Sequence, residues 1–136
     1  MAISDLRLIR ITIAALLFGL ALELWLIEHY EDVLQFIPLL CAALASILLI
    51  ADRYSNAAWI RKSFKGLLII NAICAVVGVY LHLKANFEFE KEIYVNETTL
   101  NLLINSFSGA LPVFAPGSLI ILSLLGMLYL QLTSKN

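Results

Sequence analysis

Long apolar runs separated by short polar stretches organise this sequence. Four runs stand out, at about 11–27, 33–50, 66–83 and 110–132. Each is close to the roughly 20 residues that a helix needs to cross a bilayer. The runs are apolar on every face, whereas the strands of a membrane β-barrel alternate between apolar and polar residues. The pattern predicts one all-α domain, an integral membrane bundle of four helices joined by short loops.

The composition indicates that lipid is the main solvent of this chain. Hydrophobic residues make up 62% and charged residues 14% of the 136 residues, against about 25% charged in a soluble globular protein. A soluble domain of this size could not bury so much apolar surface. The net charge of −1 gives no basic signal for nucleic acid. Cys41 and Cys74 stand apart within apolar runs, and we interpret them as small apolar side chains.

Charge predicts the orientation of the four runs. Cations collect before the first run, between the second and third, and after the fourth. These cations are Arg7, Arg10, Arg53, Arg61, Lys62, Lys65 and Lys135. Most carboxylates lie in the other two connections, where only Lys84 and Lys91 are cationic. Because Lys and Arg favour the cytoplasmic side, we expect both termini to be cytoplasmic. The first run leads into acidic residues without a small-residue cleavage site, so we interpret it as a retained span rather than a signal peptide.

The connections carry further patterns. The basic loop interleaves cations with Tyr54, Trp59 and Phe64, a combination typical of headgroup depth.

The outer loop covers 84–109. Its stretch "ANFEFEKEIYV" alternates apolar residues with glutamates over part of its length, which predicts a short extended segment. Pro116 fits the first turn of a helix, so the regular part of the fourth span should begin near it, with a re-entrant bend as the alternative.

A short helix is predicted at the end of the outer loop. Leu100, Leu103, Ile104 and Phe107 follow the spacing of one helical face. Thr98 or Thr99 could cap its start. We expect this amphipathic helix to lie on the outer membrane face.

Ionisable residues gather at the predicted outer ends of the first and third runs. The candidate cluster comprises Glu23, Glu28, His29, His82, Lys84 and Glu88. Glu23 lies five residues before Glu28, or about 7 Å along a helix, and is therefore below the outer interface. An ionisable residue inside a span is a functional hypothesis by default, because its desolvation is costly unless it is paired.

Four interpretations of this cluster stay open. In the first, Glu23 pairs with Lys84 or His82 and orients the first span against the third. In the second, His29, His82 and Glu23 hold a divalent metal, since imidazole and carboxylate suit Zn, Mn or Fe. In the third, His29 and His82 are the axial ligands of a haem. In the fourth, Glu23 lines a path for protons or ions.

A polar residue and several small residues also lie within the runs. Asn71 lies well inside the third run, where an interhelical hydrogen bond is expected and a transport role is the alternative. Small residues recur, including Ala14, Ala15 and Gly19 in the first run. They favour close helix packing, either within the bundle or against a partner subunit.

Three stretches support a resemblance. They are "EHYEDVLQFIPL" at 28–39, "GVYLHLKANFEFE" at 78–90 and "LPVFAPGSLIILSLLGMLYL" at 111–130. Together they resemble an uncharacterised group of small bacterial four-span integral membrane proteins. The resemblance implies a bacterial inner-membrane setting and transfers no activity, cofactor or site residue.

These observations lead to an expected function. The sequence contains no nucleophile–base pair, phosphate-binding loop or redox motif, and little chain lies outside the predicted spans. We therefore expect a non-catalytic accessory or interaction subunit that contacts the bilayer and other membrane subunits or a second copy, without a cofactor. A small metal- or haem-binding protein is the alternative, and a small transporter or channel using Glu23 is the third possibility.

Overall fold

The computed structural model of this protein describes residues 3–55 and 57–134. The described residues form helices and connecting turns, with no strand among them. The helices are α1 (Ile3–Leu26), α2 (Val33–Tyr54), α3 (Ala58–Ile93), α4 (Thr99–Ser106) and α5 (Ser118–Thr133), with a single 3-10 turn (Ala115–Gly117) before α5. Four of these elements are long and apolar enough to cross a membrane: α1, α2, α3 and α5 with its preceding turn. The predicted all-helical class is confirmed.

The described chain divides into two compact units. The terminal unit comprises the described residues up to Ala72 and those from Ile121 onward, and the central unit is Ile73–Ile120. The long helices α3 and α5 each contribute residues to both units. Each unit has its own buried contacts, described separately below.

Apolar side chains from α1, α2 and α3 form the core of the terminal unit. Ile13 and Leu17 of α1 lie one turn apart and are almost fully buried, as are Ala45 of α2 and Phe64 and Leu68 of α3. The first two helices pack against each other, as the short connection between them predicts. This hairpin uses Asp32 as the N-cap of α2, since its Oδ1 accepts a hydrogen bond of 2.9 Å from the Gln35 amide.

A close approach joins α3 to α5 within the terminal unit. A Cβ atom at Gly126 would lie 2.6 Å from the Leu68 Cδ1 and Cδ2 atoms, closer than carbon atoms tolerate. Leu68 is fully buried, so its branched end has little room to move aside. The absence of a side chain at residue 126 thus lets the leucine pack against the α5 backbone.

The three aromatic residues of the basic loop differ in their exposure. Tyr54 and Trp59 are exposed, by 84% and 65% of their surface, and their location at headgroup depth stays a prediction. Phe64 is fully buried, so its ring does not contact lipid as an interfacial aromatic would. It follows Ile60 by one helical turn, and both point into the core of the terminal unit.

The central unit corrects the predicted outer loop. Residues 84–93 continue α3 as helix to Ile93, so the predicted extended segment is wrong. The alternation of Phe and Glu is compatible with a helix because Lys84 pairs with Glu88 one turn later, at 3.6 Å. Residues 110–114 of the fourth predicted run are not helical, and its regular part begins near Pro116, as predicted, because Pro116 lies in the 3-10 turn directly before α5.

The predicted short helix is present as α4, with a different buried face. Thr98 is its N-cap and accepts a hydrogen bond from the Asn101 amide. The four apolar residues of the predicted face are exposed by 41–66%, whereas Leu102 and Ser106 are buried. The helix therefore packs through Leu102 and Ser106 and leaves its larger apolar face uncovered.

Gly78 and Gly66 of α3 provide a paired prediction. A Cβ atom at residue 78 would lie 2.8 Å from the Pro116 Cβ, and the ring cannot rotate away. We expect Gly78→Ala to lower the free energy of unfolding by about 1–3 kcal/mol, the usual cost of overpacking. At residue 66 a Cβ meets nothing within 4 Å. Gly66→Ala should therefore raise the free energy of unfolding by up to about 1 kcal/mol through helix propensity. Unfolding in mixed detergent micelles measures both, and equal effects would contradict the contact with Pro116.

Candidate functional site

The residues of the predicted outer cluster fall into both units. Glu23 is exposed on α1 of the terminal unit, and Glu28 and His29 lie in the turn that follows this helix. Glu28 occupies the left-handed region of backbone space, with φ 55°. The other members, His82, Lys84 and Glu88, belong to α3 in the central unit, where Lys84 and Glu88 form an exposed ion pair. The pairing of Glu23 with His82 or Lys84 stays a prediction.

His82 has a defined hydrogen bond. Its Nδ1 donates to the Pro112 carbonyl at 3.0 Å, and since a carbonyl only accepts, this contact assigns the ring proton to Nδ1. The Nε2 atom of the neutral ring is then the nitrogen with an available lone pair, as in many metal-binding histidines. Among the described residues, no group of three His, Cys, Asp or Glu side chains is placed to hold a metal ion. The metal and haem interpretations with His29, His82 and Glu23 stay predictions.

Asn71 differs from expectation. Its side chain is fully buried in the terminal unit, and neither amide atom has a hydrogen-bond partner in the described part of the chain. The expected interhelical hydrogen bond is therefore not formed there. An unpartnered buried amide costs about 1–3 kcal/mol, so Asn71 is a locally destabilising residue in the core.

The most developed polar arrangement was not predicted and centres on Asp52. This residue lies in the last turn of α2, and its side chain is 1% exposed. One carboxylate oxygen, Oδ1, accepts a hydrogen bond of 3.0 Å from Nε of Arg61, in the first turn of α3. The other, Oδ2, accepts a hydrogen bond of 2.8 Å from the hydroxyl of Tyr129 in α5. Both oxygens of a deeply buried carboxylate are thus occupied by donors.

Two further contacts extend this arrangement, which we call the Asp52 network. The Arg61 Nη1 atom lies 3.5 Å from the Thr133 carbonyl in the last turn of α5, where a cation is favoured by the helix dipole. The Arg10 side chain of α1 lies close to the Tyr129 side chain. The network therefore connects the starts of α1 and α3 with the ends of α2 and α5. We call this part of the terminal unit the basic end.

The energetics of the Asp52 network favour a structural role. A buried carboxylate is tolerated only when opposite charge and hydrogen bonds replace the water that it has lost. Arg61 supplies the opposite charge, and Tyr129, which is 2% exposed, supplies a second donor. The network cross-links four helices at one end of the terminal unit and fixes their relative rotation there.

Asn86 organises the central unit in a comparable way. It is 2% exposed on α3, and its Nδ2 donates to the carbonyls of Ser106 and Leu111 at 2.9 and 2.8 Å. Its Oδ1 accepts from the Leu111 amide at 2.9 Å. Gly109 lies against this side chain, because a Cβ there would be 2.6 Å from the Asn86 Cγ. One amide thus satisfies three backbone groups, one at the last residue of α4 and two in the segment that follows it.

The start of α4 gives a pH-dependent prediction. Hydrogen bonds from the Asn101 side chain and then from the Thr98 amide hold the pKa of Glu97 below its ordinary value of 4.5. Because the folded-state pKa is lowered, this carboxylate stabilises the start of α4 above pH 4.5, and the contribution is lost as the pH falls through the folded-state pKa. Protection factors of the α4 amides should decrease over that range.

Glu97→Gln serves as the control for this prediction. The amide keeps an acceptor oxygen for the Thr98 and Asn101 donors but does not titrate. Hydrogen exchange of this variant, corrected for intrinsic rates, should show no loss of α4 protection centred below pH 4.5. The same loss in both proteins would assign the effect to another group.

The described residues thus form two buried hydrogen-bonded arrangements, one centred on Asp52 and one on Asn86. In each, the hydrogen-bonding atoms of the central side chain are directed at groups of the same unit. This direction is typical of side chains that position helices rather than of side chains that receive a substrate. No protein-family model, curated protein or solved structure matches the chain.

Proposed function

We propose that this chain is a four-span integral protein of a bacterial inner membrane, a helix bundle that acts as a non-catalytic subunit of a larger membrane assembly. In this proposal the basic end of the terminal unit faces the cytoplasm and α4 lies on the outer face. The cations near the ends of α1, α2 and α3 support that orientation. The exposed apolar face of α4 supports its contact with the outer leaflet.

The distribution of polar and apolar side chains supports membrane insertion. Asp52, Asn71, Asn86, Ser106 and Ser123 are buried. Large apolar side chains are exposed along the middle of the long helices. Among them are Phe18, Leu22, Ile47, Ile73, Val76, Ile121 and Leu124. A soluble protein rarely exposes so much large apolar surface, whereas exposed side chains of this kind suit acyl chains.

The subunit role rests on an exposed stripe of α1. Ala15, Gly19 and Glu23 follow one another at intervals of four residues, so they share one helical face, and all three are exposed. A Cβ at Gly19 would meet nothing within 4 Å. Small residues at this spacing let a second helix approach closely in a membrane. We call this face the α1 stripe.

Several small residues of α2 and α3 pack inside the protein. Ala42 and Ala45 of α2 and Ala75 of α3 are 0–1% exposed. This difference supports a contact of the α1 stripe outside this chain. Glu23, near the end of α1, supplies a carboxylate for a cation or hydrogen-bond donor of the partner helix, which would reduce the cost of holding a charge next to lipid.

Gly19→Leu tests the subunit proposal. The larger side chain should prevent close approach of a partner helix and abolish co-purification of the partner, or of a second copy, in mild detergent. The matched control is Gly66→Leu, since that glycine also has open space around its Cβ position and lies on a different helix. Wild-type protein that purifies as a lone monomer, or equal partner recovery with Gly19→Leu, would refute the subunit role.

A further inference from the structure

A groove lies between α1 and α2 at the basic end of the terminal unit. Its volume is about 220 Å³, and residues of both helices line it. Arg10 lies on the α1 side, and Arg53 and Tyr54 lie on the α2 side. The Asp52 network is adjacent, because Arg10 contributes to both.

The charged part of this groove is suited to an anion. Of the described residues that line it, two are arginines and none is acidic. The neighbouring Asp52 is directed at Arg61 and Tyr129, so its charge is already matched within the network. Arg10 lies close to the Tyr129 side chain, which is not a carboxylate. The groove therefore keeps two positive charges, and guanidinium groups bind phosphate oxygens with two parallel hydrogen bonds.

The rest of the groove is apolar. Ile11 and Ala14 continue α1 beyond Arg10, and Leu49 and Ile50 precede Arg53 by about one turn of α2. Because the two helices run in opposite directions at this end, both pairs lie on the side of the arginines that leads toward the middle of the predicted spans. A cationic mouth followed by an apolar wall matches a phosphate headgroup followed by an acyl chain.

Tyr54 adds an interfacial group to the mouth. It is 84% exposed, and the Arg53 guanidinium lies 5.8 Å from the centre of its ring. Tyrosine side chains concentrate at headgroup depth, where the ring contacts apolar groups and the hydroxyl stays hydrated. The ring thus holds Arg53 near the groove through a cation–π contact.

We propose that this groove binds one anionic phospholipid, whose phosphate lies between Arg10 and Arg53 and whose acyl chain follows the apolar wall. A zwitterionic lipid is a poorer occupant, because its ammonium group would add a third cation beside the two arginines. The site rests on the proposed membrane insertion and is independent of the subunit role.

Competition between two lipids tests the site. Purified protein is exposed in detergent to equimolar phosphatidylglycerol and phosphatidylcholine, and the lipids that stay bound are counted by native mass spectrometry. We expect one phosphatidylglycerol to be retained in preference to phosphatidylcholine. Arg53→Gln should lower this preference about fivefold, the factor that corresponds to one cation near an anionic headgroup.

Three comparisons keep the test specific. Arg7→Gln removes an exposed arginine of α1 outside the groove and should leave the preference unchanged. Ala14→Phe adds a ring within the apolar wall and should lower retention without changing any charge. Excess inorganic phosphate should not displace the lipid. Any of four results would overturn the site. Wild type would retain both lipids equally, Arg7→Gln would lower the preference as much as Arg53→Gln, Ala14→Phe would retain the lipid undiminished, or phosphate would displace it.

Carbonate extraction of membranes separates this proposal from membrane insertion. Protein that resists extraction but shows no lipid preference refutes the lipid site alone. Protein that carbonate releases from the membrane refutes insertion, and the lipid site with it. Circular dichroism of Arg53→Gln, whose side chain is exposed, should match wild type and thereby assign a lost preference to the missing charge.

Discussion

Replacing Arg61 with methionine is expected to lower the free energy of unfolding by about 3 kcal/mol, more than any other single change at the basic end. The substitution leaves the Asp52 carboxylate, whose side chain is 1% exposed, without its charged partner at 3.0 Å. Breaking a buried ion pair usually costs about 3–5 kcal/mol. The lower value is expected here because the Arg61 side chain is itself 32% exposed. Unfolding by sodium dodecyl sulfate in mixed micelles measures the change.

Two variants identify the cause. Lys62→Met removes a neighbouring exposed cation and should change the unfolding free energy by less than about 0.5 kcal/mol. The double variant Asp52→Leu with Arg61→Met removes both charges and should be more stable than Arg61→Met alone, since no unpaired carboxylate is left. Equal destabilisation by Arg61→Met and Lys62→Met would contradict the role of the Asp52 network.

Asn86→Ala is expected to have an effect of similar size, lowering the free energy of unfolding by about 3 kcal/mol. The substitution removes three hydrogen bonds, to the Ser106 carbonyl and to the carbonyl and amide of Leu111. Each is worth about 1 kcal/mol, and these backbone groups lie in a part-buried segment. Hydrogen exchange should show the loss locally, with faster exchange of the Leu111 amide.

Asn105→Ala is the matched control for Asn86. This asparagine is exposed and adjacent to Ser106, and its replacement should change stability by less than about 0.5 kcal/mol. Asn86→Asp tests the donor role separately, because it places an acceptor oxygen opposite two carbonyls while it keeps the shape of the side chain. Unchanged exchange at Leu111 in both Asn86 variants would show that the amide does not hold this segment.

The helical class and the four long apolar helices were predictable because they depend on local properties. Run length, apolar character on every face and the short 28–32 connection are all visible in the sequence. The N-cap of α4 was predictable for the same reason, since Thr98 precedes the helical spacing. The extension of α3 to Ile93 was missed because charged residues after 83 were interpreted as the end of a span.

The polar networks were missed because they depend on tertiary contacts. Asp52 and Tyr129 are 77 positions apart, and only the packing of α2 against α5 brings them together. One signal was available: Asp52 is a carboxylate within a predominantly basic stretch, at the end of an apolar run. Asn86 offered no such signal, because residues after 83 were assigned to a loop. The burial of Phe64 was not predicted because its position between cations hid its helical spacing from Ile60.

In the proposed topology, the basic end and α4 face opposite sides of a membrane. Single cysteines at Lys62 and Asn105, introduced after Cys41 and Cys74 are replaced by alanine, test this directly, since both positions are exposed. A membrane-impermeant thiol reagent applied to cells with a permeabilised outer membrane should label the cysteine at residue 105. It should label the cysteine at residue 62 only after the inner membrane is opened. Labelling of both cysteines from the same side of an intact inner membrane would contradict the four-span topology.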